Sequence, residues 1–92
     1  MNQAPDAPSG PLTFATAAEW FARAEALAAR DTIDLSAVTQ CDSAGVALLL
    51  ELRRAAQRKG RGLQFVNAPA QLRGLVAFFG LDAILGLGTG AA

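Results

Sequence analysis

Side chains able to do chemistry gather in one short stretch of this 92-residue chain: the carboxylates of Asp34 and Asp42, the thiol of Cys41 and the hydroxyl of Ser43. Two carboxylates are the minimum for paired acid–base work, and a thiol or hydroxyl at a helix start is a candidate for attack or modification. The remaining equipment is missing. There is no histidine and Cys41 is the single cysteine, which removes Cys/His catalysis, most zinc sites and any intramolecular disulfide. No base, metal-ligand set or phosphate-cradling loop accompanies the aspartates. Gly60-Arg61-Gly62 and Gly86-Leu87-Gly88 are too sparse for a dinucleotide loop. The chain therefore reads as non-enzymatic, with no metal and no cofactor. Asp34 is expected to bond loop backbone at a strand end. Cys41 is expected to be a small packing residue, reactive only if a helix N-terminus lowers its pKa. Trp20 is expected in the core.

Length and charge narrow the classes further. Ninety-two residues suffice for one domain, and a chain this short buries only about 60–65% of its unfolded surface. A deep internal site is not expected, and dependence on a partner is. Eight basic residues balance eight acidic ones, so no overall field draws in nucleic acid or an anionic membrane. The local cluster Arg53, Arg54, Arg58, Lys59 and Arg61 lacks interleaved aromatics and reads as a solvated helix end complementing its dipole. The N-terminal sequence does not resemble a secretory signal, and no segment reaches the ~18–20 apolar residues of a membrane span. A cytoplasmic location is the expectation.

The elements that must position the four side chains follow from periodicity and punctuation. Residues 1–9 read as a flexible leader, 10–87 as the domain and 88–92 as a flexible tail. Leu12-Thr13-Phe14-Ala15 predicts a short strand. Thr16 with Glu19 predicts a capping box for a helix that buries Ala17, Trp20, Phe21, Ala24, Leu27 and Ala28. Thr32-Ile33-Asp34-Leu35 predicts a strand and Ser36 to Asp42 a loop. A helix from near Ala44 to about Lys59 is ended by Gly60 and Gly62. Leu63-Gln64-Phe65-Val66 predicts another strand. Pro69 opens a third helix with Leu72, Leu75, Val76 and Phe79 as its stripe, and Gly80 stops it. Ile84-Leu85 predicts a last short strand or turn. Strands alternating with helices make an α/β fold of parallel, right-handed β-α-β units with three main helices.

In such sheets partners meet the carboxyl ends of strands, which places attention on Asp42-Ser43-Ala44-Gly45. Asp42 or Ser43 can cap the free N–H groups of the helix, and Gly45 lets its first turn lie close to neighbouring backbone. Along the helix, Gly45, Leu49, Leu52 and Ala56, flanked by Leu48 and Ala55, suffice for the core. Ser43, Val46, Ala47, Leu50 and Arg54 fall on a second stripe that starts at the turn. That stripe is either an ordinary helix flank or the footprint of a partner.

Asp34-Leu35-Ser36-Ala37-Val38, then Asp42-Ser43-Ala44-Gly45-Val46-Ala47 and Leu48-Leu49-Leu50, resembles the signature of STAS domains. Gly10-Pro11-Leu12-Thr13-Phe14, Gly62-Leu63-Gln64-Phe65-Val66-Asn67 and Leu75-Val76-Ala77-Phe78-Phe79-Gly80-Leu81 fall where that family has its other elements, so the resemblance covers residues 10–87. It implies a STAS-like sheet and a docking surface of Asp42, Ser43, Ala44, Val46, Ala47, Leu50 and Arg54. Two branches of the family fit. In the MlaB-like branch the domain docks on the ABC ATPase subunit (MlaF-like) of a phospholipid-transport complex that maintains outer-membrane lipid asymmetry. It then lies peripherally on the inner membrane through that complex, without inserting. The Gly-Pro-Leu-Thr-Phe segment and the alanine-rich first helix favour this branch. In the anti-sigma factor antagonists the matching serine is phosphorylated by a kinase, making Ser43 a phosphosite. One departure stands out: the strand that STAS domains carry ahead of Leu12 is short or absent here, because Pro5 and Pro8 deny ladder hydrogen bonds. The resulting sheet edge is a candidate for self-association.

Overall fold

The computed structural model describes residues 7–87. In chain order these form β1 (Gly10–Leu12), α1 (Ala17–Ala22), α2 (Ala24–Ala28), β2 (Thr32–Asp34), β3 (Val38–Cys41), α3 (Ser43–Arg58), β4 (Gln64–Val66), α4 (Ala70–Phe78) and α5 (Asp82–Leu85). β1 pairs with β3 and β2 with β4, both parallel. The fold is thus α/β with small parallel sheets, as expected for a STAS-like chain. Among the described residues no strand precedes Gly10. The expected leader and tail lie outside the described residues at 1–6 and 88–92. Residues 7 and 8 are not solvated leader: Pro8 is fully buried and Ala7 packs on the core, while Ser9 is exposed.

Several local expectations need correction. The first strand ends at Leu12, because Thr13 to Thr16 turns back on itself: Thr16 N–H donates to the Thr13 carbonyl at 2.9 Å. Thr16 does precede α1, but its side chain makes no cap bond there. Its hydroxyl instead accepts from Thr13 N–H (3.0 Å) and donates to the Pro11 carbonyl (2.8 Å). The first helix is two helices, broken at Arg23, whose guanidinium lies 5.1 Å from the Trp20 ring centroid. Ala17, Trp20, Ala24, Leu27 and Ala28 are buried as expected, whereas Phe21 is 39% exposed. The stretch 36–42 is not all loop, since β3 runs through it. Ile84-Leu85 belongs to a helical turn, α5, rather than a strand.

Both long helices end as glycine dictates. After α3, Gly60 adopts φ +72°, Gly60 N–H donates to Gln57 and Arg61 N–H to Ala56, a Schellman arrangement that satisfies the last carbonyls. After α4, Gly80 and Leu81 repeat it on Ala77 and Val76. α3 is the spine: its buried Gly45, Val46, Leu48, Leu49, Leu52, Ala55 and Ala56 pack against α1, α2, α4, α5 and β3. Among the described residues the core holds no buried polar or charged side chain, so any chemistry belongs to the surface.

Candidate functional site

β3 delivers the chain to the start of α3. Asp42 is its N-cap, in extended conformation. Its Oδ1 accepts from Ala44 N–H at 2.8 Å, and its Oδ2 accepts from Phe14 N–H at 3.1 Å. One carboxylate thus caps the helix and ties it to the β1–α1 turn. These bonds, the Phe14 N–H foremost, hold the Asp42 carboxyl below the usual carboxylate range against the opposing pull of desolvation. Ser43 is exposed at the first helical position, and Asp42 is partly exposed beside it.

Gly45 explains how closely α3 can seat. A Cβ there would lie 2.4 Å from the Leu12 carbonyl oxygen and 2.5 Å from Cys41 Sγ, so only glycine lets the first turn rest on β1 and β3. Cys41 itself is buried. Burial, then the neighbouring Asp42 charge, pushes its thiol up to about 11. The helix N-terminus does not activate it. Asp34 bonds loop backbone, accepting from Ser36 N–H at 2.8 Å, and this bond holds its carboxyl low. The two aspartates have separate structural jobs, and nothing among the described residues joins them into an acid–base pair or a metal cluster.

Of the residues read as a docking stripe, Ser43, Ala47 and Arg54 are exposed and Ala44 is partly exposed. Leu50 is partly buried and leans on the core. Val46, at 3% exposure, is a core residue. It drops out because α3 is packed on several sides, which makes its buried arc wider than the single stripe read from spacing. Phe14 was missed. It is 85% exposed while its N–H is fixed by Asp42, the residue that precedes Ser43. The signal available in the sequence was Thr13-x-x-Thr16 after Pro11, a turn pattern that competes with a strand.

Apart from the exposed Arg54, the basic cluster is occupied structurally. Arg53 donates to the Leu63 carbonyl at 2.6 Å, and Arg61 to the Ala28 carbonyl at 2.6 Å and Asp31 at 2.7 Å. Arg58 pairs with Glu51 and Lys59 with Glu25, both at 3.4 Å. These bonds knit the far end of α3 to α2 and to the segment entering β4 rather than leave a uniform cationic face. No described helix is long and apolar enough to cross a membrane.

No curated protein matches the chain. Residues 8–87, almost the whole of it, match the family model described as "Mlab, STAS domain", and with β3, the Asp42 cap and the close-seated Gly45 in their places, the chain belongs to the STAS domain family.

Proposed function

We propose that this chain is a non-catalytic STAS subunit that docks on the ATPase of an ABC-type phospholipid-transport complex and supports its assembly and activity. In that role it sits at the cytoplasmic face of the inner membrane, held there by the complex, and serves outer-membrane lipid asymmetry. The observation that carries the reading is the composition of the α3 start. The Asp42 carboxylate is engaged by two backbone N–H groups, leaving Ser43, Ala47 and Arg54 as an exposed stripe beside Leu50, with the exposed Phe14 on the turn bonded to Asp42. A small polar and apolar face with one exposed aromatic suits protein contact, where buried aromatic anchors carry much of the binding energy. The family description supports it from a further direction.

The test is co-expression of the full chain with the ABC ATPase, followed by co-purification and ATPase assay. Ser43→Arg and Ala47→Arg place bulk on exposed positions and are expected to abolish capture while circular dichroism and melting stay unchanged. Leu50→Asp is a poorer probe, because Leu50 also leans on the core. Intact capture by folded Ser43→Arg and Ala47→Arg would sink the surface. A second reading rests on the exposed Ser43 hydroxyl at the N-terminus of a 16-residue helix, where the dipole favours a phosphate and Asp42 opposes it. A gain of one phosphate on Ser43 with the cognate kinase, together with no ATPase capture, would replace the transport role with that of an anti-sigma factor antagonist.

A further inference from the structure

Cys41 closes β3 immediately before the docking turn, and its backbone groups do not face β1. Asp42 N–H donates to the Leu12 carbonyl at 3.3 Å, so along the extended chain the groups of Cys41 point the other way. Both are met by one side chain from another element. Gln71 Oε1 accepts from Cys41 N–H at 3.0 Å, and Gln71 Nε2 donates to the Cys41 carbonyl at 3.1 Å. A primary amide carries one acceptor and one donor face, as a backbone residue does, and here it takes the place of a neighbouring strand. Gln71 lies in the first turn of α4, 30 residues along the chain.

The Cys41 N–H belongs to the Gln40–Cys41 peptide and its carbonyl to the Cys41–Asp42 peptide, so this one side chain holds two successive peptide units leading into the turn. The chain entering Asp42-Ser43 is therefore held on one flank by β1, with Phe14 bonded to Asp42, and on the other by α4. We infer that Gln71 is a positioning residue of the docking turn, acting through Cys41 and Asp42 to fix where Ser43 presents. The inference rests on the docking reading above. Its consequence is reciprocal coupling: whatever displaces the start of α4 weakens docking, and docking protects the start of α4.

Two full-length variants test it against the ATPase partner. Gln71→Ala removes both bonds. Gln71→Glu keeps the acceptor but sets a carboxylate oxygen against the Cys41 carbonyl, while its charge in the first helical turn favours α4 itself. Gln71→Ala is expected to speed hydrogen exchange at the Cys41 amide, and both variants to weaken docking by about tenfold, within the usual range of coupling between sites. Gln71→Glu is expected to do so with an unchanged or higher melting temperature, a combination that a merely structural role does not give. Unaltered Cys41 exchange in Gln71→Ala overturns the inference. So does faster exchange with undiminished docking, which removes the role of Gln71 alone. Failure of the unmodified chain to dock on the ATPase would instead remove the docking reading, and the positioning role with it.

Discussion

Gly45 and Gly74 both sit inside helices, yet a methyl group added to each meets opposite surroundings. At Gly45 it collides with the Leu12 carbonyl and Cys41 Sγ, and at Gly74 it meets nothing within 4 Å. Gly45→Ala therefore forces α3 off β1 and is expected to destabilise the fold by about 1–3 kcal/mol, the cost of overpacking. Gly74→Ala is expected to stabilise by about 0.4–1 kcal/mol, through helix propensity and a less free unfolded chain. Urea denaturation of both variants checks the pair, and equal effects would contradict the close seating of α3. Asp42 gives a second residue-level expectation. Its carboxyl is held below the usual range when folded, so the stability it contributes is present above the unfolded pKa and lost as pH falls through the folded one. The unmodified protein should lose melting temperature as pH drops below about 4. Asp42→Ala should melt about 4–8 °C lower at pH 7 and show a shallower acid decline. The cap and the close glycine were legible in the sequence, because both are local demands of a strand-to-helix turn. Val46 was not, since spacing gives a helix face but not how many neighbours surround it. Gln71 was not either: nothing near it in sequence announces a bond 30 residues away.

At the scale of elements, strong periodicity gave α3 and α4 almost to their ends, and the glycines after them stopped them by the expected chemistry. Short elements were less readable. β3 reads as loop because Thr39 and Gln40 are polar and exposed between Val38 and Cys41, and it becomes a strand only through β1. The break at Arg23 carries no proline or glycine to reveal it. The outer edge of β1 shows how tertiary bonding alters a sequence expectation of exposed, pairable backbone. Gly10 N–H and the Leu12 carbonyl both bond toward the β3 segment, so Pro11 between them turns outward. Proline has no N–H to offer there, and its carbonyl already accepts the Thr16 hydroxyl. That edge presents no donor at its centre, and its acceptor there is already engaged, a known means of blunting edge pairing. We therefore expect the native chain to stay monomeric in sedimentation velocity, and Pro11→Val/Thr16→Val to associate with rising concentration. A double variant that remains monomeric at the highest concentration would show that this pair does not guard the edge.

At the scale of the whole molecule, an apolar core and a small exposed stripe make binding inseparable from stability. Any partner that recognises the native turn holds the fold together by mass action. Cys41 offers a direct readout, because it lies beneath that turn among Leu12, Gly45 and Gln71. With its thiol pushed up to about 11, only about one part in a thousand is thiolate at pH 8, and burial denies reagents access to the rest. Once the chain opens, the pKa returns to about 8.5 and the thiol reacts readily. Labelling by excess thiol reagent therefore proceeds through the opened state, at a rate set by the opening equilibrium and the intrinsic reactivity. Adding the ATPase at about 100 times its dissociation constant should slow labelling by about a hundredfold, since the competent state is depleted by the factor 1 + [L]/Kd. Ser43→Arg, expected to keep its fold and to lose docking, should label at the unprotected rate whether or not the ATPase is present. If saturating ATPase leaves the labelling of the unmodified chain unchanged, the turn is not its binding surface.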